Sequence, residues 1–97
     1  MTILKTTNGS ETIMELSGWL DAQTASELET AIGELDDATA SLVLDLKELE
    51  YISSAGLRQL VAAHKKMNGA LTIRNVSMEI MDILRMAGFD KRLHIEK

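Results

Sequence analysis

Asp45-Leu46-Lys47-Glu48-Leu49-Glu50-Tyr51-Ile52-Ser53-Ser54-Ala55-Gly56-Leu57-Arg58-Gln59-Leu60 joins the chain's most apolar short run to its most regular amphipathic stretch through two serines. Upstream, Ser41 to Leu46 holds Leu42-Val43-Leu44 and then Leu46. That run is too brief for a helix and apolar at successive positions, as expected of a central strand covered on both faces. Downstream, Leu57, Leu60, Val61, His64 and Met67 recur at helical spacing, with Arg58, Gln59, Lys65 and Lys66 between them. This predicts an amphipathic helix. A serine pair just ahead of the first periodic leucine fits an N-cap, because a side-chain oxygen there accepts one of the unpaired N–H groups of the first turn. With Ser53 as the cap, Ser54 takes the first helical position and carries its hydroxyl at the open end. Ala55 and Gly56 are small enough for a second molecule's backbone to approach that hydroxyl. As a local feature, the pair reads first as a helix cap and nothing more, as most serine pairs ahead of helices do.

The chain of 97 residues is long enough for one domain, 1–97, with a single modest core. It has no cysteine, which leaves neither a disulfide framework nor a thiolate metal site. No apolar run approaches the roughly 18 residues needed to span a bilayer, and the N-terminus lacks a basic-then-apolar signal segment. A cytoplasmic protein without membrane insertion is expected. The net charge of −5 hides an asymmetry: residues 1 to 50 hold 11 acidic and 2 basic side chains, residues 51 to 97 hold 4 and 8. No basic stripe alternates with aromatics, so nucleic acid is not an expected partner. A protein partner with a basic rim would be steered toward the acidic half.

Thr2 to Thr6 and Glu11 to Ser17 flank Asn8-Gly9, a two-residue turn signal, and predict an opening antiparallel hairpin with the first strand at a sheet edge. Asp21 is placed to cap a helix from about Ala22 to Leu35, with Ala25, Leu28, Ile32 and Leu35 inward and Glu27, Glu29 and Glu34 outward. A strand, that helix and the Leu42 strand make a right-handed parallel crossover. Trp19, the only tryptophan, points opposite to Leu20 by strand alternation. If exposed, it is a hot-spot candidate; otherwise it lies flat over its own sheet edge. Asn68-Gly69 ends the central helix, and Leu71 and Ile73 alternate with Thr72 and Arg74 in a strand. Ser77 then starts a last helix with Ile80, Ile83, Leu84 and Ala87 on one face and Gly88 as its stop. Leu93 and Ile95 indicate a terminal strand.

Nucleophilic chemistry at Ser54 would need a base within hydrogen-bond reach. His64 lies ten residues along the same helix, about 15 Å away at 1.5 Å per residue, and its spacing marks a core or boundary histidine. His94 falls in the terminal strand. Two histidines at unrelated positions make no metal-ligand set, and neither a Walker pattern nor Gly-x-Gly-x-x-Gly occurs. The expectation is a protein that is not an enzyme and holds no cofactor or metal.

Asp45-Leu46, five residues, then Ile52-Ser53-Ser54-Ala55-Gly56-Leu57 resembles the signature of the STAS domain family, typified by bacterial anti-sigma factor antagonists. Gly18-Trp19-Leu20-Asp21 with Thr24 resembles that family's Gly-Glu-Leu-Asp element, and Ala87-Gly88-Phe89 its last-helix ending. The resemblance covers nearly the whole chain. It implies an α/β fold with a mixed, mostly parallel sheet of four to five strands and about three main helices. It also implies phosphorylation at Ser54, with Asp21 shaping the site, and Ser53 standing where the family often has aspartate. The implied partner is an anti-sigma factor with serine kinase activity and an ATP-binding kinase fold, docking on Trp19, Asp21, Thr24, Ser53, Ser54, Ala55, Gly56 and Arg58. No homo-oligomer is required. The alternative is a constitutive STAS interaction subunit, for example of an ABC transporter or another bacterial signalling complex.

Overall fold

The computed structural model describes residues 1–96. In order, the elements are β1 (Thr2–Asn8), β2 (Glu11–Leu20), α1 (Ala25–Gly33), β3 (Ser41–Ile52), α2 (Ser54–Lys66), β4 (Leu71–Arg74), α3 (Met78–Met86) and β5 (His94–Ile95). The five strands form one sheet in sequence order, β1 antiparallel to β2 and every later pair parallel. This is the expected mixed, mostly parallel sheet with three helices. The opening hairpin turns at Gly9-Ser10, one place later than Asn8-Gly9, because Asn8 still pairs with Glu11. Gly9 supplies the positive φ of +64° that the tight turn needs.

Each parallel connection moves one strand further in the same direction, and right-handed crossovers therefore lay all three helices on one face. Register and burial agree. Met14, Leu44 and Ile73 lie side by side across β2, β3 and β4 and share one core with Leu28, Ile32, Leu57, Leu60, Ile80 and Leu84. Among the described residues the opposite face has no helix over it, which corrects the expectation of a central strand covered on both sides. The apolar run of β3 misleads here because Val43, on the open face between its register partners Ile13 and Thr72, is only 7% exposed without any helix above it.

Two further differences bear on function. The strand expected to end at Leu46 runs on to Ile52, bulging twice: Asp45 to Glu48 spans Glu15 to Ser17, and Leu49 to Tyr51 spans Gly18 to Trp19. The extra residues interrupt the apolar alternation with Lys47, Glu48 and Glu50, so the run ceases to look like a strand. They also bend and twist it, as bulges do. In the first helix, Asp21 caps a preceding turn instead of the helix. Ala25 N–H donates to the Asp21 carbonyl at 2.8 Å, and regular helix begins only at Ala25, with Thr24 at the cap position.

The first bulge is held by Asp45, buried on the open face. Its carboxylate accepts from the Lys47 N–H at 3.0 Å, Arg74 Nε at 3.1 Å and Asn75 Nδ2 at 3.0 Å. Burial pushes this carboxyl up, but the bonds from Lys47, Arg74 and Asn75 outweigh it and hold the group below the usual carboxylate range. A carboxyl depressed in the folded state contributes stability that is whole above its unfolded value, near pH 4, and is lost as pH falls through the folded value. Thermal unfolding between pH 6 and pH 2 is therefore expected to show a shallower acid limb in Asp45→Asn than in the parent chain. An unchanged slope would remove Asp45 from the acid response.

Candidate functional site

Ser53 and Ser54 divide the roles expected of them. Ser53 takes the cap position in extended backbone (φ −98°, ψ 177°) and its hydroxyl accepts from the Gly56 N–H at 3.4 Å. Its own N–H donates to the Leu20 carbonyl at 2.9 Å, tying the end of β2 to the start of α2. Ser54 is the first residue of α2 and is exposed; among the described residues its hydroxyl has no protein partner. The cap bond is long, so Ser53→Ala is expected to cost about 0.5 to 1 kcal/mol, the low end for caps. Ser54→Ala should stay within about 0.5 kcal/mol of the parent, as exposed positions do. Chemical unfolding of the two variants checks the division, and equal losses would contradict it.

Gly56 does not face solvent. A Cβ there would stand 2.8 Å from Ile52 Cγ1, Leu20 Cγ and the Leu20 carbonyl oxygen. The glycine lets the first turn of α2 settle against the ends of β2 and β3, and this brings Ser54 down toward the loop that follows β2.

Asp21, Ala22, Gln23, Tyr51, Ser53, Ser54, Ala55 and Arg58 together line an open, shallow depression of about 500 Å³. Asp21 thus shares a surface with Ser54, as the resemblance implies. Its Oδ1 accepts from the Gln23 N–H at 3.0 Å and the Thr24 N–H at 3.1 Å. The Thr24 N–H is the main cause holding the Asp21 carboxyl below the usual carboxylate range; desolvation works against it, while the Thr24 hydroxyl, the Gln23 N–H and the Met1 ammonium add to it. An ionised carboxylate so engaged is a poor base for a serine hydroxyl. His64 is half-buried on α2, the boundary position expected of it, and His94 lies in β5; neither lines the depression.

Thr24 is half-buried and works within the loop. Its hydroxyl accepts from the Asp21 N–H at 2.9 Å and lies 2.7 Å from the Trp19 carbonyl. Arg58, one helical turn beyond Ser54 on the same side of α2, is exposed and forms no salt bridge among the described residues. Trp19 points outward, 56% exposed, while Leu20 is fully buried. Tyr51, Ala22 and Gln23 were not picked out from sequence. For Tyr51 the hidden signal is the second bulge, which sets it opposite Trp19 with ring centroids 5.2 Å apart.

A family model described as "Mlab, STAS domain" matches residues 3–96. BtrV of Bordetella bronchiseptica is 31% identical over 78 residues, covering 76% of this chain and 67% of that protein. The anti-sigma-F factor antagonist RsfB of Mycobacterium tuberculosis is 42% identical over 57 residues, 57% of this chain; the matched stretch spans 46% of RsfB, under half its length. The crystal structure of an anti-sigma factor antagonist from Mycobacterium paratuberculosis superposes with a TM-score of 0.86 at 28% identity, covering 97% of this chain and 83% of that one.

Proposed function

The chain belongs to the STAS domain family, and from that premise we propose that it is an anti-sigma factor antagonist-type binding module. Its docking surface is the Ser54 depression, and its partner is an anti-sigma factor with serine kinase activity, acting in the cytoplasm. RsfB is named an anti-sigma-F factor antagonist and the Mycobacterium paratuberculosis protein an anti-sigma factor antagonist. The observation that carries the reading is the division of labour at the α2 start: Ser53 makes the cap while the Ser54 hydroxyl stands free in a recess. Trp19, Asp21, Thr24, Ser53, Ala55, Gly56 and Arg58 serve this surface, some by facing the partner and Thr24 and Gly56 by holding its shape.

In the switching step, Ser54 Oγ attacks the γ-phosphorus of ATP held by the partner. The new O–P bond forms as the bond to the bridging oxygen breaks, ADP leaves, and the hydroxyl proton passes to a base of the kinase. The phosphoserine brings about −1.5 to −2 charges to the interface. Incubating the chain with the co-purifying ATP-binding partner and ATP, followed by intact-mass measurement, tests this step. One phosphate is expected on the parent chain and none on Ser54→Ala; no gain on the parent would refute the switch.

A second reading, a constitutive interaction subunit such as that of an ABC transporter, draws on one observation. The depression, Arg58 and the exposed Trp19 are all in place in the unmodified chain. Partner affinity unchanged in Ser54→Asp would favour it.

A further inference from the structure

Trp19 and Tyr51 are register partners at the carboxyl ends of β2 and β3, on the face of the sheet without helices. Alternation sends Leu20 and Ile52 into the core and leaves both rings outside, 56% and 41% exposed, tilted at 47° and 5.2 Å apart. The chain has three aromatic residues, and two of them stand together in solvent. Without the extra residue in β3, Glu50 would face Trp19 instead of Tyr51; the bulge builds the pair. The third ring, Phe89, packs against the core and carries the Arg92 guanidinium 5.4 Å from its centroid. Among the described residues no cation lies over Trp19 or Tyr51.

The side chains nearest the pair on its own face are acidic, while the Met1 amino group beside Gly18 and Arg58 across the depression are the positive groups at its margins. Glu50 precedes Tyr51, and Glu48 sits opposite Ser17 on the same face, about 7 Å along the strand from the pair at roughly 3.4 Å per residue. Asp21 follows Leu20. From Glu11 to Ser53 the only basic residue is Lys47. A second copy of this chain would set carboxylates against carboxylates and is a poor occupant. A cation over the ring faces would meet both the ring quadrupoles and the surrounding negative charge.

We propose that the Trp19–Tyr51 pair is the anchor for an arginine or lysine side chain of a partner protein, laid over the rings with its charge toward Glu48 and Glu50. The surface is continuous with the Ser54 depression, because Tyr51 lines both. The inference deepens the docking reading and rests on it for the partner's identity, but its chemistry is testable without phosphorylation or a kinase.

The probes are acetyl-arginine amide and its neutral isostere acetyl-citrulline amide, titrated into the full chain. Emission of the single tryptophan and the Trp19 indole N–H resonance are the readouts. Saturable shifts at least threefold tighter for arginine are expected, with the preference abolished in Glu48→Gln/Glu50→Gln and binding weakened in Tyr51→Ala. Tyr51→Leu, which keeps apolar cover at the site, guards against a folding artefact and should lose the arginine preference as well. Equal binding of arginine and citrulline, or full binding in both Tyr51 variants, would overturn the proposal. So would a concentration-dependent dimer in sedimentation that Tyr51→Ala dissolves, since that would make the occupant a second copy. Failure of the kinase assay leaves the titration standing, and failure of the titration leaves the Ser54 reading standing.

Discussion

Gly56→Ala will lower the melting temperature by roughly 5 to 20 °C. Overfilling a packed site costs about 1 to 3 kcal/mol, and each kcal/mol moves a domain of this size by about 4 to 8 °C. The added methyl would meet three atoms at 2.8 Å. Two are side-chain carbons of Leu20 and Ile52 that lie in the core and have little room to yield. The third, the Leu20 carbonyl oxygen, is held in place by the Ser53 N–H. Relief comes only by moving the start of α2 away from the ends of β2 and β3, and Ser54 moves with it. Loss of partner binding is therefore expected to accompany the loss of stability. Gly33→Ala is the control: nothing lies within 4 Å of a Cβ there, and the change should stabilise α1 by about 0.4 to 1 kcal/mol. Differential scanning calorimetry of both variants decides the matter, and a Gly56→Ala melt at the parent temperature would refute the steric account.

Ser54→Asp, standing in for the phosphate, will weaken the partner complex relative to Ser54→Ala, which binds within a few-fold of the parent. Two phosphate charges about 6 Å from one carboxylate on a partner repel by roughly 1.4 to 5.5 kcal/mol at an effective dielectric of about 80 to 20. The helix N-terminus returns about 0.3 to 1 kcal/mol, and Arg58, one turn away on the same side of the helix, a few tenths more. The low end of the repulsion, about tenfold in affinity taken alone, is largely offset by these gains, and the high end leaves a loss of roughly 4 to 5 kcal/mol; steric bulk in the depression adds to it. Aspartate carries one charge and less bulk, so installed phosphoserine is expected to show the larger effect. Isothermal titration against the co-purifying partner measures both. A Ser54→Asp affinity matching that of Ser54→Ala would replace the switch with constitutive docking.

Both outcomes turn on features of unequal visibility. The hairpin, the α2 helix with Ser53 at its cap, and the α3 helix capped by Ser77 through the Ile80 N–H were legible because each is decided within one turn or a few adjacent residues. The Ser54 position was legible for the same reason. The true length of β3 was not, since Lys47, Glu48 and Glu50 interrupt the apolar alternation and a bulged strand has no period of two to read. The start of α1 was misplaced because an aspartate that caps an isolated turn and one that caps a helix present the same residues in the same order.

The sequence alone determined the order and type of the elements, though not the end of β3 or the start of α1, and which serine is left free at the start of α2. Those are local decisions of spacing, capping and side-chain volume. Only the tertiary structure decided that no helix covers one face of the sheet among the described residues and that Tyr51 joins Trp19 on it. These depend on the direction of the crossovers and on the register of β3 against β2, and two bulged residues shift that register without leaving a periodic trace in the chain.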